Sequence, residues 1–312
     1  MLIFLDMDDF GARILLTQNE DRHLDELKAQ RVVYSSAKTL FVIGLIIAVP
    51  LPIGISFASK CFKEPLSKVT WIFALYTIIA ALAEIFLEKT VKKRKRIAAS
   101  IQEKFDNSVL FIDRNPALSV WPIDHELIRR YSKKLIEPER VDKLKNWYPP
   151  SIQSVKSNLA SLLCQRANVY YDFSIRHRFN VLLIGLGLFT LLALLVSALL
   201  ASLTLESFLI QVILPTIPVF VLACKEEGKD TESMDNLTIL KGLIESRLSN
   251  IGLSESVEPC LIRSVQDRIF QNRCSSPLIP DWIYRKLRPA QEDEMNYSIE
   301  TMIEEIQSRK SR

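Results

Sequence analysis

Few residues of this chain have the type and spacing to do chemistry, and the most suggestive of them lie inside apolar runs. Glu84 interrupts the stretch Val69 to Leu87, and Gln211 lies within Phe179 to Cys224. A carboxylate in apolar surroundings marks a site of ion or proton movement, unless it reaches water or pairs with a cation such as Lys89. An amide there needs a partner on a neighbouring helix. Asp6 and Asp8 have DxD spacing, but nothing downstream supplies the lysine and second acidic pair that phosphoryl chemistry requires, so they read as part of a non-catalytic extension. His23, His125 and His177 are scattered singly. Cys61, Cys164, Cys224, Cys260 and Cys274 form no CxxC or Cys/His pair at metal spacing. Without a GxSxG, HExxH, Walker loop or GxGxxG, neither an enzyme nor a cofactor or metal site is expected.

The elements that would hold these groups are dictated by four apolar runs. Thr39 to Ser59 and Val69 to Leu87 make one pair; Phe179 to Cys224, divided near Ser202 to Glu206, makes another. A helix rising about 1.5 Å per residue needs roughly 20 residues to cross a hydrocarbon core of about 30 Å. The runs meet or nearly meet that length. The pattern therefore predicts an all-α integral membrane protein with four transmembrane helices in two hairpins. It divides the chain into an N-terminal segment (1–38), a first hairpin (39–88), a basic connector (89–178), a second hairpin (179–224) and a C-terminal region (225–312). Pro50 with Pro52, and Pro215 with Pro218, should kink one helix of each pair.

Charge orients the arrangement. The 312 residues carry a formal net charge of +4, yet the connector holds 19 basic against 9 acidic residues, with the densest cluster at Lys89, Lys92, Lys93, Arg94, Lys95 and Arg96. Basic residues flanking apolar spans stay on the cytoplasmic side, which predicts that connector and both termini face the cytoplasm. The cluster lacks interleaved aromatics and abuts an apolar run. It suits anionic lipid better than general DNA or RNA binding.

Periodicity fills in the polar parts. Apolar residues at three- and four-residue spacing predict a helix over Asn19 to Lys38 running into the first apolar run, another over Ile97 to Phe111, and short basic helices over His125 to Leu135 and Glu139 to Lys145. A long helix is expected from Ser151 into the third run. The tail should add three more: Asp230 to Asn250 with Gly252 beyond its end, one opened by Pro259, and Asp293 to Lys310.

Several local strings are distinctive in their order: Gln102-Glu103-Lys104-Phe105-Asp106, Asn146-Trp147-Tyr148-Pro149, Cys164-Gln165-Arg166-Ala167-Asn168, then Tyr171-Asp172 and Arg176, and finally Pro280-Asp281-Trp282-Ile283-Tyr284. With the two apolar pairs, this resembles the SMODS-associating four-transmembrane effector family over about Gln18 to Met302. The resemblance implies a bacterial antiphage effector of a CBASS-like system. Such a protein works beside a nucleotidyltransferase that makes a cyclic di- or oligonucleotide, and it permeabilises the inner membrane to abort infection.

A polyanionic cyclic nucleotide needs cations for phosphate, amides for base edges and an aromatic platform. Arg166, Gln165, Asn168, Arg176, Trp147 and Tyr148 are of those types and stand as candidate ligand residues. The alternative is that Asp106, Arg166, Asp172 and Arg176 form a buried polar network joining the helices that enter and leave the membrane; Asp106 and Asp172 are read as members of it, and Arg166 and Asn168 suit either role equally. Four spans in one subunit leave little room for a polar conduit lined by Glu84 and Gln211, so a pore requires a homo-oligomer. A constitutive channel or transporter, or a membrane-anchored scaffold, are the rival readings.

Overall fold

The structure is a computed structural model that describes residues 9–48, 66–118, 123–200, 204, 206 and 214–310. Among these the chain is helical with no strand. In order, the helices are α1 (Phe10–Thr17), α2 (Asp21–Ala48), α3 (Leu66–Val109), α4 (His125–Ser132), α5 (Pro138–Asp142), a 3-10 turn (Pro150–Ser154), α6 (Leu159–Leu200), α7 (Leu214–Leu248), α8 (Pro259–Ser275) and α9 (Asp281–Lys310).

Local signals account for many of the boundaries. Asp124 caps α4, accepting a hydrogen bond from the Leu127 amide at 2.8 Å, which satisfies one of the donors a helix start leaves open. Proline occupies the first turn of α5 and of α8, where its missing N–H costs nothing. The sequence-predicted third tail helix begins twelve residues earlier than expected and continues through Pro289. The first tail helix is likewise the second half of a longer one, α7, which passes through Lys225 and Gly228 without a break.

The main core lies at the polar halves of the long helices. Phe105, Leu110, Tyr148, Leu159, Leu162 and Leu163 pack there with Leu237 and Ile244 of α7, Ile262 and Ile269 of α8, and Ile299 and Ile303 of α9. A smaller cluster, Ala29 and Val33 with Ala98, Ile101 and Ile128, joins α2, α3 and α4. Gly11 marks the closest approach: its amide donates to Val155 O at 2.9 Å, and a Cβ there would lie 1.8 Å from Ile152 O. Only glycine lets α1 seat against the 3-10 turn.

The apolar runs end differently from the sequence expectation. Among the described residues no helix is long and apolar enough to cross a membrane. The fold is therefore all-helical, but the integral membrane architecture of four transmembrane helices in two hairpins is overturned. The apolar part of α2 within the described residues is Thr39 to Ala48, and that of α7 is Leu214 to Cys224, each about half of the roughly 20 residues a crossing needs. In α3 and α6 the apolar half continues without interruption into a charged half that builds the core. Pro50, Pro52 and the turn between the first two runs lie outside the described residues, as do Gln211, Asp6 and Asp8.

Candidate functional site

The polar strings of the connector converge on Asp106, which is wholly buried on α3. Its carboxylate accepts hydrogen bonds from the Tyr148 hydroxyl at 2.7 Å, from Gln266 Nε2 at 3.0 Å and from Arg273 Nη1 at 2.5 Å. Gln266 also donates to Glu103 at 2.8 Å and accepts from Gln165 Nε2 at 3.1 Å, and Asn168 reaches the Tyr148 hydroxyl at 3.4 Å. Phe105 lies between Trp147 and Tyr148, edge-on to the first and stacked on the second. Burial and the adjacent Asp106 charge push the Tyr148 hydroxyl well above its ordinary range, so it is a proton donor throughout the neutral range. Burial works to discharge Arg273, but Asp106 outweighs it and holds the guanidinium charged.

A second buried group forms where α6 meets α7. Arg176 pairs with Asp172 at 3.0 Å and Asp230 at 2.6 Å and donates to Pro277 O at 3.3 Å. Burial opposes its charge, and Asp172 more than compensates. Arg166 faces Glu245 of α7 at 2.6 Å and lies over the Tyr170 ring.

Thus Tyr148, Gln165 and Asn168 are brought together around Asp106. Arg176 joins Asp172 elsewhere, Arg166 stands apart on α6 against Glu245 of α7, and Trp147 is part of the aromatic packing. Gln165, Arg166, Tyr148 and Arg176 are buried, and each has a protein partner, although Gln165 Oε1 and Arg166 Nη1 have no hydrogen-bond partner. The residues that complete these groups, Gln266, Arg273, Asp230 and Asn272, which donates to Asp172 at 3.3 Å, escaped the sequence reading. Their only signal was a polar residue interrupting the apolar stripe of a tail helix.

A cavity of about 530 Å³ opens between α2, α3, α7 and α8. Leu40, Phe41 and Leu87 line its apolar side and Lys95, Arg96 and Lys225 its basic side, and Glu84 lies on its wall. Among the described residues no group of three or more His, Cys, Asp or Glu could hold a metal ion.

The family described as SMODS-associating 4TM effector domain matches residues 12–302. This chain belongs to that family. The matched region contains the Asp106 network, the Arg176 group and the whole lining of the cavity. A further relative within reach of this effector family is a protein of Bacillus cereus (strain VD146) described as a probable CBASS effector molecule. It is 27% identical over 285 residues, covering 90% of this chain and 95% of its own length. No solved structure matches the chain.

Proposed function

We propose that this chain is the antiphage effector of a CBASS-type system, acting without catalysis at the bacterial inner membrane with its termini on the cytoplasmic side. A cyclic nucleotide made by an associated nucleotidyltransferase triggers it, and copies of the chain then assemble and disrupt the membrane. Family membership over nearly the whole chain and the relative named as a probable CBASS effector support the effector role.

The observation that carries the membrane part is the exposed apolar surface on the two longest helices. Leu75, Ile78, Ile79, Leu82, Ile85 and Phe86 of α3 are exposed, as are Val181, Leu182, Ile184, Leu188, Phe189 and Leu192 of α6. On each helix these residues recur at helical spacing and so line one broad apolar face. An apolar surface that continuous is not left in water; lipid or further copies of the chain cover it. The charged halves of the same helices are fixed in the core by Asp106 and Arg176, which supplies a rigid connection from the polar body to the apolar ends.

The test is phage plating on cells carrying the chain with and without its nucleotidyltransferase, with a membrane-potential dye read in parallel. Protection and depolarisation should require both proteins. Protection with an intact membrane potential would remove the disruption mechanism, and no protection by the pair would remove the effector role.

A further inference from the structure

Two kinds of at least partly buried cation occur in the polar body, and one of them has no ion-paired carboxylate. Arg273 and Arg176 are ion-paired at 2.5 and 2.6 Å. Lys95 instead donates to two backbone carbonyls at the C-terminal end of α8, Ser275 O at 3.0 Å and Ser276 O at 2.9 Å. An ammonium carries three donors, so two carbonyls leave one for another acceptor. The side chain faces the 530 Å³ cavity.

The charge lining that cavity is unevenly answered. Lys92 pairs with Glu88 at 2.8 Å and Lys229 with Glu226 at 2.5 Å. Lys95, Arg96 and Lys225 then face Glu84 as the remaining carboxylate, which leaves the cavity net positive. Opposite them stands the apolar wall of Leu40, Phe41 and Leu87, with Phe270 and the Gln271 amide at the α8 side. Cations on one side and an apolar, partly aromatic wall on the other suit a ligand that is itself divided in the same way.

We propose that this cavity is a phosphodiester-anion site, in which Lys95, Arg96 and Lys225 hold the phosphate and the Phe41 and Leu87 wall takes the apolar or aromatic remainder of the ligand. A cyclic dinucleotide and an anionic phospholipid both present this chemistry, and the cyclic-dinucleotide source rests on the effector reading above. Burial lowers Lys95 to about 8. A bound phosphate restores its proton, so affinity falls as the pH rises above that value.

The experiment is isothermal titration of the purified full chain in nonionic detergent. The probes are cyclic di-AMP and cyclic di-GMP in one arm and dihexanoyl phosphatidylglycerol in the other. Saturable binding of either class is expected, weakened about tenfold or more by Lys95→Met and by the exposed-side Lys225→Gln, as loss of a charge-assisted hydrogen bond requires. Lys145→Gln, which only opens a surface pair with Asp142, should bind like wild type. Binding in the first arm makes the site a nucleotide sensor, and in the second a lipid-headgroup site. Binding in neither arm, or binding that both lysine variants leave as tight, overturns the proposal. Lys225→Gln keeps the test valid if Lys95→Met fails to fold. Phage plating separates the two claims: a chain that protects but binds neither class keeps the effector role and loses the site, and a chain that binds but does not protect does the reverse.

Discussion

The surroundings of Asp106 and of Lys95 differ in one respect that separates architecture from a site open to ligand. Both charges lie on the same helix, α3, Asp106 wholly buried and Lys95 partly so. Asp106 is answered by Arg273, Gln266 and Tyr148 at hydrogen-bond distance. Lys95 is answered by two carbonyls and an adjoining cavity. A buried charge whose partners are complete fixes the packing of the elements that carry them, while one whose partners are incomplete retains the capacity to recruit an anion.

The largest effect should come from breaking the complete set. Asp106→Ala leaves Arg273 buried without its counter-charge, and about 3–5 kcal/mol of stability should be lost, read as a lower urea midpoint. A loss below about 1 kcal/mol would mean the network contributes little to holding α3 against α8. Arg166→Ala should cost less. Its partner Glu245 is 37% exposed, so solvent screens the pair and about 1 kcal/mol is expected, together with some packing against Tyr170. A double-mutant cycle with Glu245→Ala measures the pair alone.

Lys95→Met should be the mildest for stability, within about 1 kcal/mol of wild type and towards greater stability near neutral pH, because it removes a desolvated cation that has no carboxylate. Its pH signature sharpens the contrast. Lys95 has a folded-state value of about 8 against an ordinary 10.5. Below about 8 both folded and unfolded chains hold the proton, and the full burial penalty weighs on the fold. Between about 8 and 10.5 the unfolded chain binds more protons, so this lysine's penalty is relieved and stability rises with pH. The wild-type minus Lys95→Met difference in urea midpoint should therefore shift in favour of wild type across that window. A flat difference would show that Lys95 keeps its ordinary proton affinity.

Much of the helical frame was legible from residue pattern. Periodicity located the helix opened by Pro259 and the continuity of Asn19 to Lys38 with the apolar residues that follow. It misplaced the start of α9, because Pro289 reads as a breaker and tertiary packing of Ile283, Met295 and Ile299 overrides that local cost. It passed over α1, whose placement depends on Gly11 meeting the 3-10 turn far along the chain.

The apolar runs gave composition correctly and architecture incorrectly. A run length says nothing of how a helix divides itself between a polar core and an apolar end, as α3 does; for α6 the amphipathic stretch before the third run did signal the continuity. Gln165, Tyr148 and Asp106, singled out by residue type, meet in one buried network. Their partners Gln266 and Arg273 lie 160 and 167 positions from Asp106, and no local spacing reports a pairing of that range. The cavity was invisible for the same reason. Its basic side joins Lys95 and Lys225, which the sequence assigned to separate segments.

The most direct test of membrane disruption by a nucleotide-triggered effector is release of a trapped dye from liposomes carrying the purified full chain, before and after addition of cyclic dinucleotides. Release that begins only when a nucleotide is added is the predicted result. Release without nucleotide, or intact liposomes with every cyclic dinucleotide tried, would contradict it.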